Sequence, residues 1–122
     1  MAKHIETGRH GEELAVAFLE KAGFQILETN WRYRRSEVDI IAKDGETLVF
    51  VEVKTRSYDY FGRPEEFVDK KKEGHLARAA AGYMQQTGHE WAIRFDVVAV
   101  LKKNENEWQV EHLPDAFFPG ME

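Results

Sequence analysis

The stretch Ser36–Arg56, SEVDIIAKDGETLVFVEVKTR, contains two alternating runs of apolar residues on either side of Asp44–Gly45. An Asp-Gly pair between such runs is typical of a β-hairpin that is closed by a two-residue turn. The sequence therefore predicts two antiparallel strands, Glu37–Ala42 and Thr47–Thr55, from which the rest of the fold can be built.

The predicted turn also sets the register of the two strands, because it places Lys43 opposite Glu46 and hence Asp39 opposite Phe50. In this register Asp39 and Glu52 are diagonal neighbours, with Cα atoms about 7 Å apart. Side chains alternate between the two faces of a strand. One face is predicted to carry Glu37, Asp39, Phe50, Glu52 and Lys54, and the other, wholly apolar face carries Val38, Ile40, Val49, Val51 and Val53. We expect the apolar face to be core.

The charged face of this hairpin has two interpretations. It is either a solvated sheet surface with a cross-strand ion pair, which is common and contributes little to stability, or a site at which Asp39 and Glu52 converge on one cation beside Lys54. The hairpin by itself leaves both open.

Length and composition limit the class of protein. With 122 residues the chain is long enough for one domain with a real core, and we expect an ordered core over about 8–112 and a C-terminal tail after 113. The lack of cysteine excludes disulfides, thiolate zinc sites and cysteine nucleophiles, and it fits a reducing cytosol. Because no apolar run approaches the length of a membrane span or a signal peptide, we expect a cytoplasmic protein with no membrane contact.

The formal net charge of −5 argues against a generic nucleic-acid binder, because binding a polyanion depends on lysine and arginine. A local basic surface would have to offset that acidity. The candidates are Arg32, Arg34, Arg35, Lys54, Arg56, Arg63, Lys70, Lys71, Lys72 and Arg78.

A first helix is predicted over about Gly8–Ala22, where Leu14, Ala15, Phe18, Leu19 and Ala22 recur at helical spacing before Gly23. At about 100° per residue, Glu12 lies at the edge of this apolar stripe, whereas Glu13 points to solvent. Glu12 can therefore reach whatever the helix packs against. It is equally explained as a first-turn acid that the helix dipole favours.

The remaining pattern predicts a strand at Phe24–Tyr33, a helix from Glu65 to about Gln86, a covered central strand at Trp91–Leu101 and an edge strand at Trp108–His112. Within the second helix, Leu76, Ala79, Ala80, Tyr83 and Met84 are expected to face inward. The loop before it carries Tyr58, Tyr60 and Phe61, which either cap the core or stack on bases. Asp96 is either a functional residue or, as we expect, paired with Arg94 or another basic residue. The order of elements predicts an α/β domain with a mixed sheet between helices.

The chemistry that remains after elimination is a carboxylate cluster with a lysine. The five histidines lack zinc-type spacing, and the chain has no glycine-rich phosphate loop and no Gly-x-Ser-x-Gly elbow. Oxygen ligands from Asp39 and Glu52 suit Mg²⁺ or Mn²⁺. Such an ion activates water, and Lys54 could orient the nucleophile or neutralise developing charge, which are the parts that phosphodiester hydrolysis needs.

Asp39 followed by Glu52-Val53-Lys54 resembles the Asp…(Asp/Glu)-x-Lys signature of restriction-endonuclease-like nucleases, whose common core has a similar αβββαβ order. The chain more closely resembles the YraN-like family of uncharacterised bacterial proteins, which is similar to archaeal Holliday-junction resolvases. The matching residues are Gly11-Glu12, Leu19, Gly23-Phe24, Asn30-Trp31-Arg32, Glu37-Val38-Asp39, Val49–Arg56, Phe61-Gly62, Lys70, Lys71, Ala80, Tyr83 and Arg94–Val98.

The resemblance implies a Mg²⁺- or Mn²⁺-dependent endonuclease acting on DNA, with branched or structured DNA as the substrate class and a homodimer as the expected assembly. It implies that Asp39, Glu52 and the backbone carbonyl of Val53 bind the metal and that Lys54 is catalytic. Glu12 is the acid from the first helix, which reaches the metal directly or through water. A further set consists of Glu37 in support of the site and Arg32, Arg34, Arg56, Lys70 and Lys71 as nucleic-acid contacts.

One residue departs from the family pattern, because Ser36 stands where relatives mostly have glycine. If that glycine serves a special backbone conformation, Ser36 shifts the start of the strand and Glu37. A second function from another class remains open: a non-catalytic nucleic-acid-binding or adaptor domain that retains the nuclease fold.

Overall fold

The computed structural model describes residues 2–57 and 69–117, with side chains from residue 8 onward, and contains two helices and five strands in the predicted order. The elements are α1 Ala2–Lys21, β1 Gln25–Tyr33, β2 Ser36–Asp44, β3 Thr47–Ser57, α2 Lys70–Thr87, β4 Ile93–Asn104 and β5 Glu107–Phe117. The α/β class with a mixed sheet is therefore confirmed.

The five strands form one open sheet in the order β1-β2-β3-β4-β5. Only the β3–β4 pair among them is parallel, since α2 carries the chain across the sheet between these two strands, as a parallel pair requires. The helices cover opposite faces. Under α1 the core contains Ala15, Leu19, Phe24, Ile40, Ala42, Val49, Val51, Val53, Val98 and Val100. Under α2 it contains Val38, Ile41, Leu48, Phe50, Leu76, Ala79, Ala80, Tyr83 and Phe95.

The central hairpin is present, but its register differs from the prediction by two residues. Asp44 pairs with Thr47, so the loop residues are Gly45 and Glu46 rather than Asp44 and Gly45. Gly45 has a φ of 62°, a left-handed conformation that glycine adopts without steric cost. A shift of two residues keeps every side chain on its face. The β2–β3 pairing ends at Ile40–Val51, so Asp39 and Glu52 lie one step beyond the last paired residues, where the Val53 N–H donates to the Asp39 side chain.

The predicted apolar face is wrong for Val38, which packs under α2, whereas Ile40 packs under α1. The β1–β2 register is continuous from Thr29–Ile40 to Trp31–Val38, and Asn30, which lies between Thr29 and Trp31 on β1, has a φ of 51°. Because Val38 and Ile40 lie in different parts of the core, the side chains of β2 change face at the level of Asp39, the residue between them.

Both helices differ from prediction at their ends. The first begins at Ala2, before the expected Gly8, and Phe18 and Ala22 of its predicted stripe are exposed. The second is continuous through Gly74 and ends at Gly88, as expected, but the side chain of Asp69 caps it by accepting from the Lys72 N–H at 2.8 Å. The predicted start at Glu65 and the aromatic loop residues Tyr58, Tyr60 and Phe61 lie outside the described residues. The inward-facing set Leu76, Ala79, Ala80 and Tyr83 is buried, and Met84 packs at its margin.

The last two strands lie as predicted, with β4 central and β5 at the edge, but β5 continues past His112 to Phe117. A fully buried carboxylate, Asp96, ties them together. It accepts from Arg94 at 2.8 and 2.9 Å, which confirms the predicted ion pair, and also from His112 Nε2 at 2.7 Å and from the Asp115 N–H at 2.9 Å.

Candidate functional site

Asp39 and Glu52 meet at the centre of the sheet, on the neighbouring strands β2 and β3. Because the chain changes face at Asp39, the Asp39 side chain turns along the sheet toward β3, where its Oδ2 accepts from the Val53 N–H at 2.8 Å. Glu52, on the α2 side of β3, is only 3% exposed. The change of face at Asp39 therefore goes together with the meeting of two acids in the interior of the sheet.

The electrostatics of Asp39 reflect this crowding. The pKa of Asp39 is raised to about 7, mainly by burial and then by the adjacent Glu52 carboxylate, whereas the Val53 N–H and the Lys72 charge act in the opposite direction. Two carboxylates that share a buried space oppose each other's ionisation. The protein thus holds Asp39 in a place where its charged form is disfavoured.

Glu52 is compensated by lysines from two elements. Lys54 Nζ, on the same strand, lies 3.7 Å from Glu52 Oε1, and Lys72 Nζ, on α2, lies 3.2 Å from Glu52 Oε2. The Lys72 contact is an ion pair without hydrogen-bond geometry, because Oε2 is buried and makes no hydrogen bond to any described residue. A buried carboxylate oxygen of this kind has lost its hydrogen bonds to water, and the ion pair replaces only part of the stabilisation that they gave.

Lys72 was not in the site that the sequence predicted, and a signal for it existed. It lies four residues before Leu76 and seven before Ala79, so helical periodicity places it on the inward stripe of α2. The Lys70–Lys72 run hides this, because all three residues look equally like a solvated charged turn. Only Lys72 of the three contacts the carboxylates, whereas Lys70 and Lys71 are exposed.

Glu12 lies as the helical argument predicted. It is half-buried and accepts from Asn30 Nδ2 at 3.2 Å, whereas Glu13 is exposed beside His10. Burial raises the pKa of Glu12, the Asn30 hydrogen bond lowers it, and the charges of Asp39 and Glu37 raise it. Glu12 therefore interacts electrostatically with Asp39. It is held by its hydrogen bond to Asn30, the residue with the left-handed φ.

The donors present fit a hard divalent cation in part. Among the described residues no three acidic, histidine or cysteine side chains form a ready-made metal cluster. The site offers two close carboxylates and one buried carboxylate oxygen that lacks a hydrogen bond. Oxygen donors of this kind, completed by water, are what Mg²⁺ and Mn²⁺ take. The carbonyl of Val53 stays a predicted ligand, since the contact that the structure provides is through its N–H.

The predicted nucleic-acid contacts do not form one continuous surface. Arg32 is highly exposed and pairs with Glu37 at 3.0 Å, which gives Glu37 a partner outside the carboxylate pair. Arg56 donates to the Thr55 carbonyl at 2.9 Å. Lys54, Asp69, Lys71, Lys72 and His75 line a cavity of about 260 Å³ next to Glu52. Arg34 lies apart from these, in the turn between β1 and β2.

Ser36 does not require a glycine backbone. It pairs with Tyr33 at the start of β2, and the left-handed residue of this turn is Arg34, with a φ of 57°. The Ser36 side chain is buried, with its Oγ 3.4 Å from His75 Nδ1. The serine therefore adds a polar contact to α2 without the backbone conformation that would favour glycine.

Known proteins share this sequence over nearly its full length. Residues 11–100 match the model of a family described as "Uncharacterised protein family UPF0102". A UPF0102 protein of Christiangramia forsetii is 47% identical over 118 residues, which cover 97% of this chain and 98% of the relative. One of Bacteroides thetaiotaomicron is 44% identical over 121 residues, with 99% of each covered. One of Rhodococcus jostii is 43% identical over 118 residues, with 96% and 100% covered.

Neither described helix combines the length and the apolar composition that crossing a membrane requires.

Proposed function

The chain belongs to the uncharacterised protein family UPF0102, the YraN-like family that its sequence resembles, and we propose that it is a metal-dependent nuclease that hydrolyses phosphodiester bonds in DNA. The description of the family names no activity, so the proposal depends on the residues of the site. The resemblance to restriction-endonuclease-like nucleases supplies the reaction class, and the resolvases supply branched DNA as the substrate class.

The observation that carries the proposal is the enforced contact between Asp39 and Glu52. Their proximity, together with burial, raises the pKa of Asp39 to about 7. A sheet interior gains nothing in stability from such a pair, because an apolar pair of similar volume avoids the loss of hydration. A shared cation relieves both the repulsion and the unsatisfied Glu52 oxygen, and perturbed carboxylates in a partly open site are typical of function.

Each residue of the site then has a stated role. Asp39, Glu52 and the Val53 carbonyl would hold Mg²⁺ or Mn²⁺, and the bound ion supplies an activated water and positive charge at the phosphate. Lys54 lies at the open side of Glu52 and donates to the attacking water or to a phosphate oxygen. Lys72 adds a second ammonium to the same cavity. Glu12 keeps Asn30 in place and orients water at the edge of the site.

The test combines metal binding with cleavage. Mn²⁺ is titrated calorimetrically into the wild type, Glu52→Gln and Glu13→Gln, the last being a matched exposed acid. Cleavage of linear and four-way-branched DNA is followed in parallel, with Lys54→Ala as the catalytic variant. We expect binding lost in Glu52→Gln and kept in Glu13→Gln, and cleavage lost in Glu52→Gln and Lys54→Ala. Cleavage that survives both substitutions would end the nuclease assignment.

One observation favours the non-catalytic alternative, a nucleic-acid-binding domain with a nuclease fold. Lys54 and Lys72 already neutralise Glu52, so the carboxylate face has its counter-charge without a metal. On this alternative the protein binds DNA with a steep salt dependence, takes up no Mn²⁺ with or without DNA, and cleaves neither substrate. The same titration therefore separates the two functions.

A further inference from the structure

A second cavity, of about 530 Å³, lies between the β1–β2 turn and α2, away from the carboxylate pair. Its floor is apolar and lies where β1 and α2 pack closely. A Cβ atom at Gly82 would lie 2.6 Å from the Tyr33 ring. Its rim is basic, with no acid among the lining residues. The lining consists of Tyr33, Arg34, Arg35, Ser36, His75, Arg78, Ala81, Gly82 and Gln85.

The three rim arginines lack carboxylate partners among the described residues. Arg34 contacts the Tyr33 ring, with its Cζ 5.3 Å from the ring centroid, and Arg78 donates to His75 Nδ1 at 3.1 Å. Arg35 is exposed. Three arginines that line one cavity concentrate positive charge there. The protein is acidic overall, so this concentration of unpaired positive charge is a local feature.

The geometry of the rim is fixed at two points. Arg34 adopts a left-handed φ of 57°, which costs a non-glycine residue about 1 kcal/mol or more. The two-residue turn between Tyr33 and Ser36 requires this conformation, and it places Arg34 and Arg35 next to each other at the rim. Arg78 Nη2 lies 3.1 Å from His75 Nδ1, and the guanidinium can only donate in this contact. The imidazole thereby holds Arg78 at the rim.

His75 also connects the two sites, since it lines both this cavity and the one that contains Lys54 and Lys72. A strand that places one phosphate at Lys54 therefore has the arginine cavity next along its path. Guanidinium groups bind phosphate oxygens bidentately, with charge-assisted hydrogen bonds.

We propose that the cavity of Arg34, Arg35, Arg78 and His75 is a second phosphate-binding site, which holds a phosphate group of the nucleic-acid strand beside the one at the carboxylate site. The inference rests on the proposed function for the identity of the strand, but binding at this cavity needs neither metal nor cleavage. The phosphate is either an internal phosphodiester or a terminal 5′-phosphate, which the same arginines would bind.

The test uses the double variant Arg35→Ala/Arg78→Ala, with exposed Lys103→Ala as the matched control, and a thermal melt to show that each variant folds. Binding of single-stranded and branched DNA is measured by fluorescence anisotropy in EDTA at several salt concentrations. We expect the double variant to lose at least tenfold in affinity and about 1 to 2 units of the log–log salt slope, since each phosphate contact contributes about one unit. Lys103→Ala should change neither quantity.

Two probes identify the source of the phosphate. Single-stranded DNA is compared with and without a 5′-phosphate, and inorganic phosphate is titrated into ¹⁵N-labelled protein. A gain from the 5′-phosphate that the double variant abolishes assigns a terminal phosphate, whereas equal losses for both strands assign an internal one. Either result requires phosphate-induced shifts at Arg34, Arg35 and Arg78.

The outcomes separate this inference from the nuclease proposal. If the wild type cleaves DNA but the double variant binds with unchanged affinity and salt slope, the second site is wrong and the nuclease stands. If the double variant loses affinity but the wild type cleaves nothing, the second site stands without the nuclease. Phosphate shifts confined to other residues would also overturn the second site.

Discussion

Lys72 Nζ lies 3.2 Å from Glu52 Oε2, so an ammonium from α2 stands beside a carboxylate oxygen that makes no hydrogen bond within the described residues. In the absence of metal this lysine is the nearest counter-charge to that oxygen. A divalent cation at Asp39 and Glu52 would take over the same task. On the proposed function, the lysine and the metal would be alternative partners of one buried acid.

Replacing Lys72 should therefore destabilise the metal-free protein and strengthen its response to metal. We expect Lys72→Met to lower the free energy of unfolding by about 2 kcal/mol, because Glu52 loses its partner while it stays buried. Mn²⁺ should raise the melting temperature of Lys72→Met more than that of the wild type. The exposed neighbour Lys71 is the control, and Lys71→Met should change neither quantity. If Mn²⁺ raised the melting temperatures of Lys72→Met and Lys71→Met equally, Lys72 and the metal would not be alternative partners of Glu52.

Asp39→Asn should stabilise the metal-free protein at pH 8 and abolish Mn²⁺ binding. The folded-state pKa of Asp39 is raised to about 7, so ionisation of this carboxyl lowers the free energy of unfolding as pH rises from about 4 to 7. The amide can keep the Val53 N–H bond without a charge. We expect a gain on the order of 2 kcal/mol at pH 8, since each pKa unit corresponds to about 1.4 kcal/mol, and little change at pH 4. Urea titrations at the two pH values measure the free energy of unfolding. A loss of stability in Asp39→Asn at pH 8 would contradict the conclusion that the charged form of Asp39 is disfavoured in the folded protein.

The affinity for Mn²⁺ should depend on pH in the same range. Asp39 must lose its proton to bind metal, so we expect the association constant to rise about tenfold per unit below pH 7 and to level off above it. Calorimetry in buffers of different ionisation enthalpy should detect about one proton released at pH 5.5 and close to none at pH 8. A constant affinity between pH 5.5 and 8 would show that Asp39 is not a ligand.

Glu12 and Glu13 provide a paired test of the helix contribution. Glu12→Gln keeps the size of the side chain but removes a charge that interacts with Asp39, whereas Glu13→Gln changes only an exposed acid. We expect Glu12→Gln to reduce the cleavage rate by about 10- to 100-fold, as substitutions of residues that support a metal site do. Glu13→Gln should retain the wild-type rate. Equal rates for both variants would show that Glu12 takes no part in cleavage; the first-turn explanation of this acid is already wrong, because α1 begins at Ala2.

Asp96→Asn should be strongly destabilising at neutral pH. The carboxylate is fully buried, but the Arg94, His112 and Asp115 hydrogen bonds outweigh that burial and hold its pKa below the usual range. Its contribution is therefore present above about pH 4 and is lost as pH falls through the lower folded-state pKa. We expect a loss of about 3 kcal/mol at pH 7, with Asp115→Asn, which leaves the backbone N–H in place, close to wild type. The difference between the variants, measured by urea denaturation, should narrow as pH approaches 3.

Much of the architecture could be predicted because the patterns that encode it are local. The two-residue period of β3 places the side chains of Phe50, Glu52 and Lys54 on the same face of the sheet. The helical period of α1 separates Glu12 from Glu13, and the order of the elements leads to a mixed sheet between helices. These results depend only on backbone geometry and on the requirement to bury apolar side chains.

The carboxylate site could be predicted in its members but not in its geometry. A hairpin register that slips by two residues keeps the same face pattern, so the alternation that identifies Asp39 and Glu52 cannot say whether they are opposite or diagonal. The face of Val38 is predicted wrongly because alternation assumes a regular strand, whereas the side chains of β2 change face between Val38 and Ile40.

The sequence by itself determined the family, the order of helices and strands, and the acids and lysine of the central hairpin, since these follow from periodicity and from residue identity. Only the tertiary structure decided that Asp39 and Glu52 lie just beyond the end of the β2–β3 pairing, that Lys72 rather than Lys70 or Lys71 reaches Glu52, and that Arg34, Arg35 and Arg78 surround one cavity. The first of these depends on the exact position of the hairpin turn, which alternation does not record. The other two join α2 to strands that are distant in the chain, so they depend on how α2 packs on the sheet.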